Sequence, residues 1–185
     1  MEHVDVRRRA DDFLEAQSQS PPAYTPGMAD RSRGPGVRVP PPFIFVAGWI
    51  AAWLLNRRLS LEIDGDGPSL PQQIVGLLLL VAGLTVMAWA LLTFSRARTA
   101  VVPVRPARVL VSHGPYRFSR NPMYVGLSVG YLGLAILLNQ AWPLLFLPVV
   151  LIVLLLAVIQ HEERHLQSSF PDDYREYRRR VRRWL

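Results

Sequence analysis

Two stretches of the chain gather the residue types that can do chemistry. The first, 112–124, reads Ser-His-Gly-Pro-Tyr-Arg-Phe-Ser-Arg-Asn-Pro-Met-Tyr. Pro122 disfavours helix at Asn121 and suits a first helical position, while Asn121 is a good N-cap, so an apolar helix is expected to start here. Unpaired N–H groups at a helix start attract carboxylates and phosphates, and Arg120 adds a charge beside them, so a small anionic group has a place to dock. The plainer alternative is an arginine held by lipid headgroups at an ordinary helix start.

The second stretch, 160–165, reads Gln-His-Glu-Glu-Arg-His and follows directly on an apolar run. Adjacent carboxylates at membrane depth are costly unless paired or used. Either Glu162 and Glu163 are hydrated just beyond the bilayer, or one of them meets Arg120 or a cationic ligand across a helical hairpin. His161-Glu162-x-x-His165 also matches the zinc-protease pattern, in which two histidines one turn apart bind the metal and the glutamate activates water. A catalytic zinc needs a third protein ligand. The tail offers only Asp172, Asp173 and Glu176, and of the other histidines, His3 and His113, only His113 is a plausible partner.

These residues must be positioned by elements that composition constrains tightly. Half of the 185 residues are hydrophobic, and they come in long blocks separated by arginine-rich stretches, which is not the pattern of a soluble domain. The chain has no cysteine, so disulfides, thiolate nucleophiles and cysteine-based metal sites are excluded. A net charge of +7 would suit nucleic acid, but the arginines sit at the ends of apolar blocks, where the positive-inside bias and anionic lipids account for them; nucleic acid is not an expected partner. All 21 basic residues are arginine, which with abundant Pro, Ala and Leu suggests a GC-rich bacterial genome, and so a bacterial inner membrane.

An all-α integral membrane protein of about four transmembrane helices is expected, with spans over 42–57, 72–94, 122–138 and 142–160. Residues 1–41, rich in Pro, Gly, Ser and Arg, are expected to form a disordered cytoplasmic tail and not a signal peptide, leaving 42–185 as the membrane domain. Only 139–141 separates the last two spans, so they form a tight antiparallel hairpin. Arginines number six in 1–41, two in 56–70, six in 95–121, none in 139–141 and seven in 161–185. That alternation puts both termini and the 95–121 loop in the cytoplasm. A C-terminal helix over 172–184 carries Tyr174, Tyr177, Val181 and Trp184 on one stripe, either closing over a site or anchoring on anionic lipid.

Gly-Pro-Tyr-Arg-Phe-Ser-Arg-Asn-Pro-Met-Tyr-Val-Gly at 114–126, followed after a hairpin by the Glu162-Glu163 pair and a Phe170-x-x-x-Tyr174-x-x-Tyr177 tail, resembles bacterial members of the isoprenylcysteine carboxyl methyltransferase and phospholipid methyltransferase-like family. The resemblance covers about 95–184. It implies an S-adenosylmethionine-dependent methyltransferase with a cofactor pocket at the cytoplasmic face and a lipophilic small-molecule acceptor. Leu110, Val111 and Tyr116 would line the cofactor, with His113 and Gly114 beside them. Asn121, Pro122, Met123 and Tyr124 would hold its methionine part, Glu162 with Glu163 its charged end, and Arg120 would be a structural or charge partner, grouped with Glu162 as catalytic.

Two departures refine that picture. Many relatives have His where this chain has Asn121, which cannot act as an acid or base near neutral pH. Val158 stands close to where the eukaryotic carboxyl methyltransferases carry an arginine for the substrate carboxylate, which argues against a prenylcysteine acceptor. The rivals to methyl transfer are the zinc protease, an NADPH-dependent membrane reductase of related architecture, and a membrane scaffold without activity.

Overall fold

The computed structural model describes residues 39–65, 67–96 and 110–185. The expected disordered tail over 1–41 therefore falls almost wholly outside the described residues, as does much of the expected 95–121 loop. The described residues form helices joined by short turns, with one isolated antiparallel bridge between Glu62 and Gln140 and no strand.

Helix α1 spans Pro41–Asn56, α2 Leu70–Arg96, α3 Pro122–Leu137 and α4 Ala141–Leu154. A 3-10 turn, Gly114–Arg117, precedes α3. Helix α4 continues through a π turn, Leu155–Ile159, into α5, Gln160–Ser169, and α6 covers Pro171–Arg180. Prolines open α1, α3 and α6, where a missing N–H costs nothing and the fixed φ suits a first turn.

Leu70–Arg96 (27 residues) and the continuous Ala141–Ser169 (29 residues) are long and apolar enough to cross a membrane. On α2 the buried residues are Gly76, Gly83, Ala90 and Thr93, while Leu77, Leu78, Val81 and Leu84 are exposed, the reverse of a helix in a soluble core. Helices α1 and α3 have 16 residues each, roughly 24 Å of rise against the ~30 Å of a hydrocarbon core.

The seam between α2 and α3 is built from glycine. A Cβ on Gly76 would stand 2.6 Å from the Leu137 backbone nitrogen, and one on Gly126 would stand 2.7 Å from the Gly83 carbonyl oxygen, so the two backbones touch with no side chain between them. Opposite this seam lies the main apolar core, where Ile44 and Phe45 of α1 and Tyr124 and Tyr131 of α3 meet Val150 and Leu154 of α4 and Val158 and Ile159 of the π turn.

The C-terminal helix departs from expectation at its end. It stops at Arg180 instead of 184, because Val181 adopts an extended backbone (φ −123, ψ 130) and the last residues turn back across the start of α3. Its stripe faces protein: Tyr174, Tyr177 and Val181 are buried against Leu110, Leu166 and Phe170.

Candidate active site

The site is assembled where α3 begins and α5 leaves the π turn. The chain enters it at Leu110 and Val111. Leu110 packs on the α6 cluster, and Val111 is buried with Ala90 and Tyr116. His113 is exposed and extended, and its carbonyl accepts from the Tyr116 N–H at 3.3 Å, closing the 3-10 turn. Gly114 sits at φ +61 with Thr93 of α2 immediately beside it, so a side chain there would face both backbone strain and a clash.

That turn drives Tyr116 inward. Its ring packs at a tilt on Phe94 with centroids 4.9 Å apart, its carbonyl accepts from the buried Tyr177 hydroxyl at 2.7 Å, and its own hydroxyl is buried without a partner among the described residues. Burial, the neighbouring Tyr177 and the Glu162 carboxylate all push its ionisation above the usual phenol range, so it stays a neutral hydroxyl able to donate and accept.

The start of α3 is used by the chain itself. Asn121 occupies the N-cap position, but its side chain makes no cap; the amide nitrogen instead donates to the Arg183 carbonyl at 3.0 Å. The Asn121 N–H donates to the Ser119 hydroxyl at 3.1 Å, that hydroxyl donates to the same Arg183 carbonyl at 3.2 Å, and the Arg120 N–H donates to Arg182 at 2.9 Å. The returning C-terminal segment thus supplies backbone carbonyls to the Arg120 N–H, the Ser119 hydroxyl and the Asn121 side chain just ahead of α3.

One turn further on, the two adjacent glutamates part company. Tyr124, buried on α3, donates to Glu162 Oε1 at 2.7 Å. Glu163 is gripped by Arg183, whose Nε and Nη2 lie 3.0 and 2.7 Å from its two oxygens, and by Arg120 Nη1 at 3.2 Å. The meeting of one glutamate with Arg120 across the hairpin, open from sequence, is realised, and the partner is Glu163. Arg120 also reaches the Tyr174 hydroxyl at 3.5 Å, and its Nε is buried without a partner among the described residues.

Burial pushes the Glu162 carboxyl up to about 7, and among the described residues no guanidinium is paired with it, so the arrangement can hold a cation against Glu162 and can donate hydrogen bonds to an anion from the Tyr116 hydroxyl and Arg120 Nε. Met123 is half-buried against both the main core and the Val111 cluster, and Pro122 is buried beside it. Val158 is wholly buried in the main core. Among the described residues, no group of three or more His, Asp or Glu side chains lies close enough together to hold a metal ion, and a zinc site on His161 and His165 lacks its third ligand there.

Sequence reasoning singled out Arg120, Tyr116, Tyr124 and the glutamate pair, which the fold does bring together. It missed Ser119 and Arg183. A serine between an aromatic and an arginine carries no signal, and Arg183 sits in a run of arginines that reads as a solvated face. The one hint was Trp184, an aromatic in that run, which packs against the main core.

The sequence profile of the family described as phospholipid methyltransferase matches residues 71–173, more than half of the chain. A cobalt-zinc-cadmium resistance protein of Cupriavidus metallidurans is 36% identical over 77 residues, 42% of this chain and 35% of that protein. A probable protein-S-isoprenylcysteine O-methyltransferase of Oryza sativa subsp. indica is 28% identical over 109 residues, 58% of this chain and 57% of that one. The protein-S-isoprenylcysteine O-methyltransferase of Schizosaccharomyces pombe is 37% identical over 73 residues, 40% of this chain and 31% of that one. The chain thus spans less than two thirds of the length of each of these relatives. With its family profile running from the start of α2 to the first turn of α6, across Tyr116, Arg120, Tyr124 and both glutamates, the chain belongs to the phospholipid methyltransferase family.

Proposed function

We propose that this protein is a membrane-embedded methyltransferase that uses S-adenosylmethionine to methylate a lipophilic acceptor at the cytoplasmic membrane face. In this proposal α1 to α4 are four spans, α1 and α3 reaching across with their flanking turns, and both chain ends lie on the cytoplasmic side with the arginine-rich segments. The observation that carries the proposal is the split of the glutamate pair: Glu163 is neutralised by two guanidiniums, while Glu162 is met only by the Tyr124 hydroxyl among the contacts described for it.

That split fits the cofactor's charges. Its ammonium and sulfonium call for a carboxylate, and its own carboxylate calls for donors, which the Tyr116 hydroxyl and Arg120 Nε can provide. When bound, S-adenosylmethionine supplies an electrophilic methyl group whose in-line displacement turns a cation into a neutral thioether. The chain has mainly to align and to exclude water. Tyr124 fixes the Glu162 rotamer through a short hydrogen bond, Val111 and Met123 present apolar surface, and α6, sealed by Tyr177 onto the Tyr116 carbonyl, closes the site from the cytoplasmic side. Asn121 is occupied in holding Arg183 and has no proton to give. If the acceptor is an amine or hydroxyl, Glu162 or His113 would have to take its proton, since both oxygens of Glu163 are already engaged. The relatives named for isoprenylcysteine suggest a lipidic acceptor, while the buried Val158 leaves no cation at that position for a substrate carboxylate.

Calorimetry in detergent tests this directly. S-adenosylmethionine should bind the purified protein, and Glu162→Gln should weaken it at least about tenfold, ~1.4 kcal/mol. His161→Ala, which would abolish a zinc site, should leave it within about threefold, ~0.7 kcal/mol. Tight NADPH binding, or stoichiometric zinc lost from the His161 variant, would replace this proposal with one of its rivals.

A further inference from the structure

Between Pro115 and Met123 every residue is buried or half-buried except Arg117 and Phe118. The 3-10 turn sets this split: it sends Tyr116 inward onto Phe94 and leaves the next two side chains outside, against Trp89 of α2. Phe118 is 57% exposed and Trp89 47%, their ring centroids stand 6.5 Å apart, and the Arg117 guanidinium lies 5.1 Å over the Phe118 ring. Among the described residues no carboxylate is paired with Arg117, whereas Arg120, Arg175, Arg180 and Arg183 each have one. Two large exposed rings beside a cation without a counter-charge make a surface that is apolar at one end and cationic at the other.

Its depth identifies what it meets. A Cβ on Gly126 would stand 2.8 Å from the Met87 backbone nitrogen, and α2 and α3 run antiparallel, so Tyr124 is level with Trp89. Trp89 lies about 10 Å along the axis from Arg96, the end of α2. The 27-residue helix rises about 40 Å, roughly 10 Å more than a hydrocarbon core. In a bilayer the two rings therefore lie just inside the boundary with the headgroups, the zone that tryptophan prefers. From there a guanidinium can reach the phosphates while its stem stays on the ring.

We propose that Arg117, Phe118 and Trp89 form a docking site for an anionic phospholipid of the cytoplasmic leaflet: the guanidinium takes the phosphate, and the two rings take the top of an acyl chain. A guanidinium laid on a ring keeps its planar N–H fork available to grip a phosphate through two oxygens. A zwitterionic lipid brings its own cation beside the phosphate and gains less. The docked lipid holds the turn that carries Tyr116 at a fixed depth, level with Tyr124 and Glu162. Of the function proposed above, this requires only that the protein is embedded in the membrane.

The experiment follows Trp89 emission, taken as the difference between the full chain and its Trp89→Phe variant, in phosphatidylcholine vesicles. The vesicles contain a small fixed fraction of lipid brominated near the top of its acyl chains, either phosphatidylglycerol or phosphatidylcholine, and contact with bromine quenches the indole. Brominated phosphatidylglycerol should occupy the site about fivefold better than brominated phosphatidylcholine, ~1 kcal/mol for one arginine at a membrane surface. Arg117→Gln should bring the two lipids within about 1.5-fold. Phe118→Ala keeps the charge without the ring beneath it and should leave a preference of about twofold. Arg57→Gln, which removes the guanidinium over Trp53 at the end of α1, should leave the fivefold preference intact. Equal quenching by the two lipids in the wild type, or a preference that survives Arg117→Gln, overturns the proposal. If Arg117→Gln does not fold, Phe118→Ala decides alone, and an undiminished fivefold preference overturns it. A wild type quenched by neither lipid also overturns it and refutes the membrane placement in the proposed function, a result distinct from equal quenching by both.

Discussion

The two ends of α3 hold buried polar groups of similar size and treat them in opposite ways. Past its C-terminus, Asn139 stands at φ +55 and spends both halves of its amide: the oxygen accepts from the Asp64 N–H at 3.0 Å and from Gln72 at 2.9 Å, and the nitrogen donates to the Asp64 carbonyl at 2.8 Å and to Glu62 at 3.3 Å. The Ala141 N–H and the Trp142 indole reach the Leu61 and Leu59 carbonyls, so the hairpin turn is stitched to the loop after α1. At the N-terminal end, Tyr116 and Arg120 each keep a buried donor in hand, and Glu162 keeps capacity beyond its one hydroxyl. Buried polar atoms are normally paired, because leaving one unpaired costs about 1–3 kcal/mol. Asn139 is spent on stability, with the neighbouring Gln140 Oε1 left buried and unpartnered among the described residues, whereas the other end keeps donors that the proposed function would use.

Breaking the stitched end should give the largest effect on stability. Asn139→Ala loses four hydrogen bonds and replaces asparagine, whose short polar side chain suits the left-handed region, with a residue that suits it less, so it should cost about 3 kcal/mol or more, read as a lowered thermal midpoint in detergent, with S-adenosylmethionine affinity of the surviving folded protein within about twofold. Asn139→Gly keeps the backbone at ease and should recover about 1 kcal/mol of that loss. A variant that lowers affinity as strongly as it lowers stability would dissolve the contrast between the ends.

The reserve end should respond the other way round. Tyr116→Phe removes the unpartnered hydroxyl while keeping the ring on Phe94, so the thermal midpoint should hold or rise by the equivalent of up to ~1 kcal/mol, while S-adenosylmethionine binding weakens about three- to tenfold in titration. A drop in stability would mean the hydroxyl had a structural partner after all. The smallest change belongs to the outer face of α6, where Arg180 and Glu176 form an exposed pair at 3.5 Å. Glu176→Gln should shift stability by less than ~0.5 kcal/mol and leave binding alone.

Much of this architecture was legible in the residues. Prolines at 41, 122 and 171 mark helix starts that the fold respects, and the glycines of the third block signal the close approach that α2 makes with α3. Of the readings open for the carboxylate pair at the end of an apolar run, the fold realises the one in which a glutamate meets Arg120. What the sequence could not tell is which glutamate Arg120 would choose, because neighbours on a helix differ only in direction and the π turn upstream resets that direction. Nor could an amphipathic stripe say whether Tyr174 and Tyr177 would face lipid or protein; that depends on Leu110 and Phe170 being there to receive them. The Arg183 grip is a contact between residues 20 positions apart, made possible by one extended residue at Val181 that no local preference dictates.

The π turn at Leu155–Ile159 has a consequence for mutations that change length instead of identity. A helix advances about 100° per residue, so a π turn is an α-helix carrying one residue too many, and everything beyond it is rotated by that amount relative to what precedes it. Removing a single residue from this segment could restore regular α geometry at no cost in backbone hydrogen bonding, yet it would swing the acidic extension about a quarter-turn around its axis. Glu162 would leave Tyr124, and the clasp on Glu163 would have nothing to close on. A one-residue deletion here, which leaves the apolar helix long enough to cross a membrane, is therefore the most economical way to take apart the proposed site while keeping the shape around it.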